Sequence, residues 1–332
     1  MDPVLFLRDI ERTPETLNSL ADDLNARNPW LAEPAMAAAL EGVRAGNRLI
    51  LLGMGSSHFA NSVLAMRLQA VGVHAIAVLA STDPLPAVDP HDVVIAVSAS
   101  GGSAETLAAV ELFRGQCMLI AVTNTEGSAI EASCDAHVAL RAEVEVGGVA
   151  CRSFTHTIGV HLALEDALNN RSGEGTIETI NRAAEACEDL LSRRAEWLAP
   201  TGELLLGPDG TAVVAPARRL SSAQQSALML REGPRLPAIA CETGDWSHID
   251  VYLTKTTDYR MLLLPGSRWE PQLMDWCTQR NSTLVALGAD IPGTQLTLRY
   301  RHDDLEDVRL FVEPLVCELI AQGAWAAGLV RR

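Results

Sequence analysis

The stretch Val93-Val94-Ile95-Ala96-Val97-Ser98-Ala99-Ser100-Gly101-Gly102-Ser103-Ala104-Glu105-Thr106 passes from an unbroken apolar run, through a turn rich in serine and glycine, into a helical pattern. An apolar run that does not alternate is a strand covered on both faces. Helices must supply that cover, so the strand belongs to a parallel sheet of a doubly wound α/β fold. Upstream, Arg48–Leu52 reads as a strand of the same kind, followed by Gly53-Met54-Gly55-Ser56-Ser57 and a helix from about Phe59 to Val71. His74–Leu79, Met118–Val122 and Ala136–Leu140 complete a first series of strands, and Phe154–Leu168 reads as a helix. A single helix is expected over Phe6–Asn25.

A polar, glycine-bearing run, Asn169 to Gly175, marks a boundary, and a helix over Ile177–Trp197 leads to Pro200. A second series follows: strands at Glu203–Leu206, Thr211–Ala215, Ala238–Cys241, Met261–Leu264 and Thr283–Leu287. Its helices lie at Ser221–Glu232, Pro271–Arg280 and Leu310–Trp325. The expected division is 1–170 for the first helix and first α/β subdomain, 171–202 for a linking helix, and 203–332 for a second α/β subdomain. Two similar series suggest an internal repeat.

At 332 residues the chain is long enough for two compact lobes. Its net charge of −16 repels phosphate backbones and argues against nucleic acid as a partner. No apolar run reaches the roughly 18–20 residues of a membrane span, and the N-terminus does not read as a secretory signal. Seven scattered cysteines without CxxC spacing read as free thiols of a reducing cytoplasm, in preference to disulfides or zinc ligands. Lys255 is the only lysine, for which a coding bias towards arginine is the simplest cause.

An acidic protein that binds an anion must do so locally, with backbone N–H groups and hydroxyls. Two turns offer that chemistry, each between a strand and a helix. Gly53–Ser57 is neither a dinucleotide fingerprint nor a P-loop. In the second turn Ser98, Ser100 and Ser103 can converge on one anion, although helix capping accounts for one of them. Ligands of open α/β sheets sit at the carboxyl ends of strands, where both turns lie.

The pattern Ser98-x-Ser100-Gly101-x-Ser103-x-Glu105-Thr106 resembles the signature of SIS (sugar isomerase) domains. Leu7–Pro14, the Gly55-Ser56-Ser57 turn, Gly148–Thr155, Ala227–Glu232 and Gly244–His248 are similar to segments of the isomerase half of glucosamine-6-phosphate synthase. The resemblance implies two SIS-type subdomains, each flavodoxin-like, the second degenerate. It implies a sugar phosphate or amino-sugar phosphate held by Ser56, Ser57, Ser98, Ser100 and Ser103, with the backbone of Ala99 nearby. Glu232 matches the family's catalytic glutamate and His248 its ring-opening histidine, often supplied by the neighbouring subunit of a homodimer. Neither cofactor nor metal is implied.

The departures are Met229 and Ala99, where the family carries lysine and glutamine, and the absence of both a lysine-bearing C-terminal tail and a glutaminase domain. They point away from glutamine-dependent amination and towards aldose–ketose isomerisation or amino-sugar-phosphate deamination, with a non-catalytic sugar-phosphate sensor as the alternative. Plain structural readings accompany the other candidates. Glu165 and Asp166 read as a solvated helix face, Arg231 and Arg235 as surface ion-pairing residues, and Pro265-Gly266-Ser267-Arg268 as a remnant of a second serine loop. Trp246, Trp269, Trp276 and Trp325 read as packing or dimer-contact residues.

Overall fold

The computed structural model describes residues 1–329. Its chain divides into two compact units, one of Glu15–Val144 with Arg152–Asn181, the other of Met1–Pro14, Glu145–Cys151 and the chain from Arg182 onward. In chain order the helices are α1 Pro3–Glu11, α2 Thr13–Ala26, α3 Pro34–Arg44, α4 Ser56–Ala70, α5 Ala104–Phe113, α6 Ala129–Ser133, α7 Arg152–Leu168, α8 Glu174–Ser192, α9 Arg194–Leu205, α10 Leu220–Glu232, α11 Thr243–Trp246, α12 Glu270–Gln279 and α13 Glu306–Ala326. The strands are β1 Leu49–Gly53, β2 Ala75–Leu79, β3 Val93–Val97, β4 Met118–Thr123, β5 Ala136–Ala139, β6 Thr211–Ala215, β7 Ala238–Glu242, β8 Arg260–Leu263, β9 Thr283–Leu287 and β10 Leu296–Leu298.

The first unit holds a five-stranded sheet in the order β2-β1-β3-β4-β5, and every pairing is parallel. The second holds β7-β6-β8-β9-β10, again all parallel. Both follow the flavodoxin-like order, in which the chain reverses direction across the sheet between the first and third strands. Residues two apart share a face of a strand. Ile50, Leu52, Val94, Ala96, Leu119 and Ala121 therefore form one apolar surface, closed by Val110 and Phe113 of α5 and Ile130 of α6. Ala212, Val214, Met261, Leu263 and Leu284 do the same in the second unit, under Trp246, Leu273 and Cys277. Among the described residues no helix is long and apolar enough to cross a membrane.

Several element readings change. The first expected helix is two, α1 and α2, with Arg12 between them. The expected Ile177–Trp197 helix is also two, broken at Arg193, and Pro200 lies inside α9 instead of ending it. Glu203–Leu206 is the end of α9 and the residue after it, not a strand, since a three-leucine run is too short to distinguish the two by period. The alanine-rich α3 and the three-residue β10 had no such reading. Glu165 and Asp166 are not a solvated face. Both are buried, Glu165 pairs with Arg67 and Arg171, and Asp166 pairs with Arg171 and accepts from Thr176.

The N-terminal helix groups with the second sheet. Phe6 is buried with its ring 6.5 Å from that of Trp325 on α13, and Asp9 accepts the Gly147 N–H at 2.6 Å. Gly147 lies so close to α1 that a Cβ there would stand 2.5 Å from the Phe6 Cα and 2.6 Å from its nitrogen. Both are backbone atoms, which cannot swing aside. Gly147→Ala is expected to destabilise the chain by about 1–3 kcal/mol, as overpacking does. Calorimetry against the wild type measures the fall in Tm.

Candidate functional site

In the first unit, the Gly53–Ser57 and Ser98–Ser103 turns follow adjacent parallel strands and leave from the same end of the sheet. Gly55 has φ +51°, and no side chain caps the start of α4 behind it. Ser56 and Ser57 are the first residues of that helix. An uncapped helix start directs N–H groups and partial positive charge at whatever lies before it. Gly53 is required by crowding, because a Cβ there would meet Asn61 Nδ2 at 2.9 Å and Ser57 Cβ at 3.0 Å.

The second turn is fixed by its backbone. The Ala99 carbonyl accepts from the Asn124 N–H at 3.0 Å and from the hydroxyls of Thr123 at 3.3 Å and Thr125 at 3.2 Å. Gly101 has φ +64°, and a Cβ there would stand 2.3 Å from Ser128. Both facts exclude any other residue without rearrangement. The serines differ in what they already do. Ser103 caps α5, with its oxygen accepting from the Thr106 N–H at 3.3 Å, as capping predicts. Ser100 is exposed and accepts only a local bond from the Gly102 N–H, and Ser98 is buried at the strand end.

Residues that sequence reading missed support these turns. The Ser128 hydroxyl is buried beside Gly101 without a partner. Beneath Gly53, fully buried Asn61 accepts at 2.8 Å from His161 Nε2, while His161 Nδ1 and Asn61 Nδ2 have no partner. Burial keeps the imidazole neutral, and the Asn61 oxygen places its one proton on Nε2. No motif marks these residues; only their burial next to the turns does.

In the second unit, Glu232 is the last residue of α10 and half-buried. Burial raises its carboxyl above the usual range, and the charge of Glu145 adds to that. The negative end of the helix dipole acts in the same direction. Gly233 follows, packed so that a Cβ would stand 2.9 Å from the Trp325 ring. His248 lies two residues beyond α11, exposed, with its backbone N–H bonded to the Asp245 carbonyl at 2.8 Å. No hydrogen bond joins the side chains of His248 and Glu232 among the described residues. Arg231 is exposed and bonds only to Ala227 of its own helix, while Lys255 stands 5.8 Å from the Tyr252 ring.

The second sheet's counterpart of the serine turns is filled from within. Arg219, fully buried at the start of α10, donates to the Pro265 carbonyl and to Glu313, and at 2.6 Å to Glu306. Arg309 donates to the Pro265 and Gly288 carbonyls, both at 3.0 Å, and Arg218 to the Gly266 carbonyl at 2.8 Å. Carbonyls converging on guanidinium groups are the reverse of an anion cradle.

Comparison with known proteins agrees with this geometry. Residues 43–169 match the family model described as SIS domain. Over 309 residues the chain is 23% identical to the glutamine--fructose-6-phosphate aminotransferase [isomerizing] of Sulfurisphaera tokodaii, covering 92% of this chain and 49% of that one. Its counterpart from Aeropyrum pernix is 28% identical over 283 residues, 77% of this chain and 44% of that one. The chain thus spans about half the length of the curated relatives it matches. Among solved structures, the C-terminal domain of glucosamine-fructose-6-phosphate aminotransferase from Francisella tularensis superposes with TM-score 0.81 at 16% identity, covering 97% and 96% of the two chains. Tagatose-6-phosphate ketose/aldose isomerase from Escherichia coli gives TM-score 0.80 at 19% identity, covering 97% and 93%. Residues 43–169 form an SIS domain, and the fold of the whole chain is that of SIS-type phosphosugar isomerase structures. Within that class, the chain is a homologue of the isomerase part of glutamine–fructose-6-phosphate aminotransferase.

The imidazoles of the first unit carry a pH signature. Burial lowers His161 from 6.5 to about 3, and burial chiefly lowers His156 to about 4. Below pH 6.5 the unfolded chain takes up protons that the folded chain refuses, so stability falls as pH drops from 6.5 towards those values. At 1.36 kcal/mol per unit, each ring costs about 2 kcal/mol between pH 7.5 and pH 5. Urea unfolding of His161→Gln should show a pH dependence over that range smaller than the wild type's by about that amount.

Proposed function

We propose that the chain is a phosphosugar isomerase or amino-sugar-phosphate deaminase/isomerase that works by proton transfer at Glu232. One observation carries this reading: a half-buried carboxylate sits at the end of a helix, with burial, a neighbouring carboxylate and the helix dipole all raising its affinity for a proton. A surface carboxylate is a weak base near neutrality, and one so displaced is better matched to the task.

The roles follow from the chemistry of each group. The uncapped start of α4 with Ser56 and Ser57, together with Ser98, Ser100 and the turn they share with Ala99, receives the phosphate. Ser103 contributes through the shape it gives the start of α5 and through its hydroxyl. Glu232 takes the proton from the carbon next to the open-chain carbonyl. The electron pair moves into an enediol, or an enolamine for an amino sugar, and the proton returns to the neighbouring carbon. His248 assists ring opening, a step that needs a group able to give and take a proton near neutrality. The homodimer in which the family sometimes shares that histidine is part of the same proposal.

The experiment is proton NMR of the chain with hexose and amino-hexose phosphates in D₂O. Deuterium should enter at C1 or C2, and Glu232→Gln should slow its entry by at least ~10²–10⁴-fold. Exchange should rise with pH as Glu232 ionises. Ser100→Ala should raise KM more than it lowers kcat. Undiminished exchange in Glu232→Gln would sink the mechanism. Binding without exchange would leave a sugar-phosphate sensor.

A further inference from the structure

The helix pair that carries Glu232 holds a second buried acid that the proton transfer does not use. Glu318 on α13 is 2% exposed, and its Oε1 has no partner. Gln225 on α10 is fully buried, and its Oε1 also has no partner. The other end of that amide is engaged, since Nε2 donates to the Ala150 carbonyl at 2.9 Å. Ala150 belongs to the segment 145–151, in which Glu145 accepts the Cys151 N–H at 2.7 Å.

Contacts along α10 and α13 fix how they pair. Arg219 meets Glu313, the Cys317 thiol faces Ser226, and Gly233 lies against Trp325. The helices run parallel, and the same register sets Gln225 level with residues 316–319. Glu318 Oε1 and Gln225 Oε1, both buried and without a partner, thus belong to paired helices at about the same level, an arrangement costly for each unless something donates. A proton on Glu318 turns one acceptor into a donor and satisfies both.

We propose that Glu318 is a positioning residue, a neutral carboxylic acid that donates to Gln225 and so orients the amide that holds the segment carrying Glu145 beside Glu232. The positioning role rests on the proton-transfer reading of Glu232. The surroundings favour the neutral form: burial, then the charge of Glu145, push Glu318 up to about 8. The Cys187 thiol on α8 and Cys317 are both buried and neutral, and Glu313 is engaged by Arg219. On the other packed helices, Asp9 of α1 is bonded to the Gly147 N–H and Arg194 of α9 to Glu11. The folded chain keeps a proton that the unfolded chain releases above about pH 4.5. Glu318 therefore costs stability progressively as pH rises from 4.5 to about 8, and nothing further beyond.

Glu318→Gln keeps the shape and supplies an N–H donor, whereas Glu318→Leu supplies none. At pH 7 the infrared spectrum of the wild type should contain a protonated-carboxyl C=O band that Glu318→Gln lacks, and Gln225→Leu should move that band. In the deuterium-exchange assay ionisation of Glu318 should make the wild-type kcat decline above about pH 8, and Glu318→Gln should keep the wild-type kcat at pH 7 and abolish that decline. Glu318→Leu should lower kcat by ~10–10²-fold, as misplacement of a catalytic group does, with KM little changed. The proposal is overturned if the wild type and Glu318→Gln have the same carboxyl bands, if Gln225→Leu leaves the band unmoved, or if Glu318→Gln loses as much kcat as Glu318→Leu. A wild-type chain that exchanges no sugar phosphate would fail the reading of Glu232 and, with it, the positioning role. The infrared comparison would still decide separately whether Glu318 is the neutral donor to Gln225.

Discussion

Where parallel strands end, the ladder leaves backbone groups unpaired on one edge of the sheet, and other groups must answer them. Each unit solves that problem with the same strand order and with opposite charge. In the first, the Ala99 carbonyl is taken by three donors from the segment Thr123–Thr125, which turns carbonyl groups away and leaves helix N–H groups and hydroxyls at the edge. In the second, Arg219 and Arg309 collect the carbonyls of Pro265 and Gly288. The first arrangement leaves donors free to face an anion, as the proposed function requires. The second has already consumed its positive charge on carbonyls and on Glu306 and Glu313.

This division bears on how, under the proposed function, a chain of net charge −16 would attract a phosphate. Long-range attraction is not available, so the affinity must come from contacts within a few ångströms, where dipoles and hydroxyls outweigh a screened surface field. Such a cradle tolerates little movement. Gly53 over Asn61 and Gly101 against Ser128 show it built to close tolerances from beneath. The neutral His161 beneath Asn61 adds no charge that would compete for the anion.

The sheet strands were legible in the sequence because their apolar runs are continuous, and continuity has one structural cause. The two turns were legible because glycine and serine mark the passage from a strand to a helix, where they tighten the chain and cap the helix. What sequence reading missed has physical reasons too. Arg12 and Arg193 interrupt helices whose hydrophobic period continues across them, so the pattern shows no break. Glu165 and Asp166 looked solvated because a carboxylate is usually exposed, whereas Arg67, distant in sequence, and Arg171, just beyond the helix, allow these to be buried. Asn61, Ser128, His161, Gln225 and Glu318 lie in ordinary helical or turn sequence. Their importance comes from a missing partner, which only three-dimensional neighbours reveal.

The same reasoning explains why the two buried glutamates of α13 differ. Glu313 meets Arg219 at the filled strand edge, where burial raises its carboxyl and the arginine charge opposes that rise. Five residues on, burial and the charge of Glu145 both raise Glu318, and no arginine charge opposes them. An apolar residue at 318 would avoid that cost but could not donate to Gln225. Retaining an acid there makes sense where a proton, and not a charge, is the useful property. Under the proposed role of Glu232 that condition holds at the end of α10, where a carboxylate must be kept receptive to protons without a cation drawing its charge away.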